Sequence, residues 1–182
     1  MDMELFRYFV IYSFFGFLLE VAYARATGAG KQDRKCLLLL PLCPVYGLGA
    51  LAILAVARWT GGGGWGLVLL GGAAATGVEY LMAVFYEKVL GVSFWDYSEL
   101  PGDLHGRVSL PFSAVWGLLA LVLVQWVHPA VAALAQRIPP SVDVFLAVVL
   151  GVDSVCTVYL LRRTRSTDSL KWYQPFLKRA AG

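Results

Sequence analysis

Five apolar stretches alternate with four polar or glycine-rich breaks along the chain. The stretches run roughly Leu5–Tyr23, Leu37–Ala57, Trp65–Tyr86, Pro111–Val127 and Val142–Leu161. Each approaches the ~20 residues a helix needs to cross about 30 Å of hydrocarbon. The breaks fall at Arg25–Lys35, Arg58–Gly64, Glu87–Leu110 and His128–Ser141. The pattern predicts an all-α polytopic transmembrane bundle of about five spans, with residues 1–161 as one domain and 162–182 as a basic cytoplasmic tail. No period of 20–50 residues repeats.

Two spans carry irregularities. Pro41 and Pro44, in the run Cys36–Gly49 (CLLLLPLCPVYGLG), remove two backbone donors and push Leu40 and Cys43 out of helical angles. The second segment is therefore expected to begin as a short extended or re-entrant piece. Backbone of that kind survives at membrane depth only when buried in protein or lining a cavity. The third span contains Gly71-Gly72-Ala73-Ala74-Ala75-Thr76-Gly77, small residues suited to close helix contact.

Composition agrees with this reading: 59% of the 182 residues are apolar and 15% charged, with mean hydropathy +0.68, against about 25% charged in soluble domains. A soluble enzyme or a sizeable extramembrane domain is excluded. The basic residues sort by side. Arg25, Lys31, Arg34, Lys35, Lys88, Arg107, Arg162, Arg163, Arg165, Lys171, Lys178 and Arg179 fall on one, and Arg7, Arg58 and Arg137 on the other. The positive-inside rule then puts the N-terminus outside and the C-terminus in the cytoplasm. A net charge of +3 gives no case for nucleic acid. Cys36, Cys43 and Cys156 form neither a disulfide framework nor a metal spacing.

Ionisable groups inside lipid mark functional candidates. Glu20 lies near the inner end of the first span and Glu87 at the inner end of the third. Glu79 lies some seven residues deeper, about 10 Å at 1.5 Å per residue, and Asp153 is at a similar depth in the fifth span. These acids predict a pocket open to the cytoplasm. The loop Trp95–Arg107 (WDYSELPGDLHGR) concentrates Asp96, Asp103, His105 and Arg107 between aromatics, Trp95 and Tyr97 among them. Arg107 is placed to neutralise a carboxylate of a neighbouring helix or to receive an anionic ligand. Gly28–Lys31 (GAGK) is no phosphate loop, because Arg25 and Gln32 stand where that motif needs Gly and Ser or Thr. HExxH and GxSxG are absent. The chain encodes no nucleotide hydrolysis of its own.

Several of these residues fall into a recognisable order. Gly16–Glu20 (Gly-x-x-x-Glu) is followed by Arg34, Pro41, Cys43-Pro44 and Tyr46-Gly47. Then come Glu79-Tyr80, Glu87-Lys88, Gly91, Trp95-Asp96-Tyr97-Ser98, Pro101, Gly106-Arg107, Ser113 and Trp116-Gly117. In this the chain resembles the ABC-transporter type IV family, small permease-like bacterial membrane proteins, from about Phe15 to Pro129. It departs from the family at Lys35 and Leu40, where Gly is usual, and at Asp103 and His105, around the Asn that usually precedes the Gly-Arg. The resemblance implies a multi-pass protein of the inner (plasma) membrane and a transporter component whose ATPase, if ABC-type, is a separate subunit.

The leading expectation is a permease component handling a small molecule or cation through the acidic pocket. Its candidate ligand-binding residues are Glu20, Tyr46, Glu79, Glu87, Trp95, Asp96, Tyr97, Arg107 and Trp116. In that picture Glu79 and Glu20 bind a cation or carry a proton, and Arg107 balances their charge. The alternative is a membrane-embedded enzyme acting on a lipid or lipophilic substrate, with Glu79, Glu87, Asp96 and Asp103 holding a divalent cation and His105 or a carboxylate as general base. No resident cofactor is otherwise expected. A third reading is a scaffold whose tail, Leu161–Arg179, meets anionic lipid. Five helices enclose little volume, which favours a homodimer.

Overall fold

The computed structural model describes residues 3–28 and 36–171. Five helical segments account for the apolar stretches. They are α1 (Met3–Ala26), α2 (Pro44–Thr60), α3 (Gly64–Leu90), α4 (Leu110–Gln136) and α5 (Pro140–Thr164), followed by a 3₁₀ turn at Thr167–Leu170. Of these, α1, α3, α4 and α5 are long and apolar enough to cross a bilayer, whereas α2 has 17 residues. Short turns at 61–63 and 137–139 reverse the chain. Most of the basic tail lies outside the described residues, as do Lys31, Arg34 and Lys35.

Local chemistry sets the ends. Pro44 opens α2, and Gly61 closes it in the left-handed conformation (φ 73°) with its N–H on the Ala57 carbonyl. Gly91 does the same for α3 (φ 71°), donating to Tyr86 O. The fourth helix overruns the break expected at His128–Ser141 and continues to Gln136. A π-helical turn at Leu123–Val127 immediately precedes Pro129, and such a widened turn accommodates a proline that a regular α-helix would exclude.

The second segment begins extended, as its prolines require, and the backbone donors of Leu38, Leu39, Leu40, Leu42 and Cys43 all find partners. Leu38 N–H donates to Thr157 Oγ1 at 2.9 Å, Leu39 N–H to the Asp153 carboxylate at 3.0 and 3.1 Å, and Leu40 N–H to Asp153 Oδ2 at 2.7 Å. Leu42 N–H reaches Leu40 O and Cys43 N–H reaches Ser13 O, both at 2.9 Å. The fully buried Asp153 is thus an anchor for backbone that lipid could not solvate. Cys36 and Cys43 bring their Sγ atoms to 3.0 Å at the two ends of this piece.

Packing follows small residues, because apolar helices gain nothing hydrophobic by leaving lipid for one another. A Cβ on Gly16 would lie 2.3 Å from Tyr46 Cβ, and one on Gly47 would lie 2.2 Å from Ser13 Oγ. These contacts join α1 to α2. A Cβ on Gly72 would come 2.9 Å from Gly117 Cα, joining α3 to α4. Of the glycines in the third-span run, Gly77 has nothing within 4 Å and faces outward. Ile53, Leu67, Ala75, Trp116 and Ala120 form the core between α2, α3 and α4. Helix α5 is held by an apolar cluster, in which Leu161 packs with Tyr86, Leu90 and Val92, and by two polar clasps. At one end the Arg7 guanidinium donates to Asp143 (2.6 Å) and to Ala135 O (2.8 Å), and lower down Asp153 and Thr157 grip 38–40. Leu69, Leu81, Leu118, Phe145 and Val155 remain exposed on the outer faces, as a lipid-facing surface should.

Candidate functional site

Helix α3 turns Glu79 inward, where it is 6% exposed. Trp116, one side of α4, donates its indole N–H to Glu79 Oε2 at 2.9 Å. Tyr97, from the loop between α3 and α4, donates its hydroxyl to Oε1 at 3.0 Å. Both oxygens are therefore held by neutral donors, and among the described residues no cationic side chain contacts this carboxylate. Tyr46 of α2 donates to Glu20 Oε1 of α1 at 2.7 Å, and its ring lies 5.4 Å from that of Trp116. Four helices and a loop thus join two carboxylates through an aromatic pair. Glu20, Tyr46, Glu79, Tyr97 and Trp116 form one network.

Glu87 and Arg107 form another, nearer the end that carries most of the basic residues. Arg107 donates from Nε (2.9 Å) and Nη2 (2.6 Å) to a single oxygen, Glu87 Oε2, and from Nη1 to Tyr80 O–H at 3.0 Å. The Glu87 hydrogen bonds are the main reason its pKa is raised above the ordinary arginine value. This corrects the expectation that Arg107 balances Glu79 and Glu20. The arginine rises from the loop beside the last turn of α3, so Glu87 is the acid within its reach. His105 Nδ1 pairs with Tyr80 O–H at 3.1 Å.

The loop itself is tightly built. Trp95 donates its indole N–H to Arg107 O at 2.8 Å and meets Tyr86 edge-on at 5.9 Å. Tyr97 N–H donates to Gly106 O at 2.8 Å. Asp96 does not join either network. Its Oδ1 accepts the Ser98 backbone N–H at 3.0 Å, and this bond, with a lesser one from the Ser98 hydroxyl, holds the exposed carboxyl below its ordinary range. Asp103 accepts the Gly106 N–H at 2.9 Å. His105 adopts φ 57°, a left-handed conformation. His is among the few non-glycine residues found there.

The cavity beside these networks is apolar. Between α1 and α4, over α2, lies a cleft of 590 Å³ walled by Phe15, Leu19, Ile53, Leu119 and Leu123, with the rings of Tyr46 and Trp116 in its lining. Its lining includes Leu18, Leu19 and Val122, which are exposed on the outer faces of α1 and α4. Tyr12 bounds it at the far end, its hydroxyl 3.0 Å from His128 Nδ1. Toward the basic end Tyr23 meets Phe112 edge-on at 6.4 Å, and Tyr97 stacks on Phe112 at 4.6 Å. Tyr80, Phe112, Tyr12 and His128 were not among the sequence candidates. Tyr80 had the signal of adjacency to Glu79, and the other three had none, because their roles arise from contacts between helices. Among the described residues no three His, Cys, Asp or Glu side chains come together in a way that could hold a metal ion.

A model of the family described as "Putative ABC-transporter type IV" matches residues 7–160. The chain belongs to that family, and the match extends beyond the span that carries the motif resemblance. No curated protein and no solved structure matches it. With its apolar helices, this membership makes it a multi-pass membrane protein related to transport.

Proposed function

We propose that this member of the ABC-transporter type IV family is the membrane-spanning component of a transporter, and that Glu79 binds its cation or carries its proton. The observation that carries the reading is the setting of Glu79. It lies in the interior of the bundle, both oxygens are held by neutral donors, and among the described residues no cationic side chain contacts it. A carboxylate in lipid without a charged partner is costly, and a bound cation or proton relieves that cost. Glu20 is tied to the same aromatic pair through Tyr46 and serves as a second acidic station. The Glu87–Arg107 network and Trp95 shape the mouth at the basic end. An ABC-type cycle draws its ATPase from a separate subunit.

The catalytic alternative has less support. Glu87 is engaged by Arg107, while Asp96 and Asp103 are spent on loop turns, so its four carboxylates do not converge.

Proton flux into proteoliposomes, read with an entrapped pH dye under an imposed gradient, tests the proposal. Wild-type protein should exceed empty liposomes, and Glu79→Gln should lose at least tenfold of the excess. Equal flux in wild type and Glu79→Gln would overturn it.

A further inference from the structure

We infer that the cleft between α1 and α4 is the binding site for a lipophilic organic cation, a ligand with an apolar body and a delocalised or alkylated positive charge. The inference deepens the proposed transport reading and rests on it for biological meaning, although binding is measured separately from flux.

Three observations converge. At 590 Å³ the cleft has the size of small-molecule sites, about 300–1,000 Å³. Its walls are aliphatic and aromatic, and its exposed lining residues Phe15, Leu18, Leu19 and Val122 lie on the long apolar helices α1 and α4, so a ligand dissolved in the bilayer reaches it without crossing water. The polar side chains in its lining are Tyr12 at the far end and, beside the acids, Tyr46 and Trp116. These two rings are neighbours at 5.4 Å, and each gives its polar hydrogen to a carboxylate, Tyr46 to Glu20 and Trp116 to Glu79.

Charge selects the occupant. An aromatic face attracts cations, most strongly where water is excluded. A hydroxyl or indole N–H bonded to a carboxylate polarises its ring toward the π-face, in the sense that linked hydrogen bonds reinforce one another. Each acid accepts at the polar edge of its ring, and among the described residues no cationic side chain contacts Glu79. A cation in the cleft meets two electron-rich faces backed by negative charge, whereas an anion of the same shape meets repulsion. A neutral acyl chain would fit the walls but would leave that charge unused.

Tetraphenylphosphonium and tetraphenylborate, matched in shape and opposite in charge, are the probes. The full chain in nanodiscs is equilibrated with each ion, and uptake by empty nanodiscs is subtracted. The phosphonium should bind at least tenfold more tightly than the borate. Glu79→Gln should cut that preference by about tenfold. Leu19→Trp, at a half-exposed position in the cleft wall, should weaken phosphonium binding about tenfold without touching the acids, which covers the case in which Glu79→Gln fails to fold. Equal affinity for the two ions, no phosphonium binding, or phosphonium binding unaffected by Leu19→Trp each overturns the inference. Selective binding without Glu79-dependent flux would sink only the transport reading; flux without selective binding would sink only this one.

Discussion

The indole N–H of Trp116 and the carboxylate of Glu79 meet at 2.9 Å across α3 and α4, both side chains buried. Trp116→Phe keeps a ring in the core but leaves Glu79 Oε2 without its donor. A hydrogen bond to a charged group contributes about 1.5–3 kcal/mol, so Trp116→Phe should lower stability by roughly that amount. In a double-mutant cycle with Glu79→Gln the two losses should fall short of additive. Strict additivity, measured by denaturant titration in mixed micelles, would show the contact to be energetically idle.

Asp153 should behave as an anchor. Asp153→Ala strips the acceptor from Leu39 and Leu40 N–H, and buried orphan donors cost about 1–3 kcal/mol each. The extended piece should loosen, and Cys36 and Cys43, buried in the wild type, should become reactive toward a maleimide. Cysteine labelling at the wild-type rate in Asp153→Ala would contradict this role.

Two glycine substitutions separate packing from propensity. Gly47→Ala places a methyl 2.2 Å from Ser13 Oγ and 2.6 Å from Phe9 O, contacts that backbone cannot yield cheaply. It should part α1 from α2 and sharply reduce folded yield. Gly77→Ala meets nothing within 4 Å and gains up to about 1 kcal/mol of helix propensity. Thermal midpoints should therefore move in opposite directions.

Asp96 predicts an acid limit for the loop. The folded state holds its carboxyl below the ordinary value of about 3.9. A depressed acid contributes stability that is present above the unfolded value and lost as pH falls through the folded one. Protection of the Ser98 amide against hydrogen exchange should hold at pH 5, fall below about pH 4, and be weaker throughout in Asp96→Ala. Protection that is independent of Asp96 would place the bond's energy elsewhere.

Much of the architecture was legible along the chain. Pro41 and Pro44 announced the extended start of the second segment, and Glu79 announced itself by depth. The extent of α4 was not legible, because Pro129 reads as a helix end in the sequence, whereas the helix runs through a π-helical turn at Leu123–Val127 and past that proline. The partner of Arg107 was not legible either: several carboxylates lay within plausible reach, and loop geometry selected Glu87. The cavity beside the acids proved apolar, since Tyr46 and Trp116 turn their polar atoms to the carboxylates and their rings to the cleft.

The sequence by itself determined which stretches form long apolar helices and which polar groups fall inside them. Those properties depend on length, periodicity and transfer energy, all local. Tertiary structure alone decided which group satisfies each buried one: Asp153 with 38–40, Glu79 with Trp116 and Tyr97, Glu20 with Tyr46. Lipid makes a buried polar group without a partner costly. Helix rotation and register, fixed by where glycines let backbones approach, determine which partner it finds.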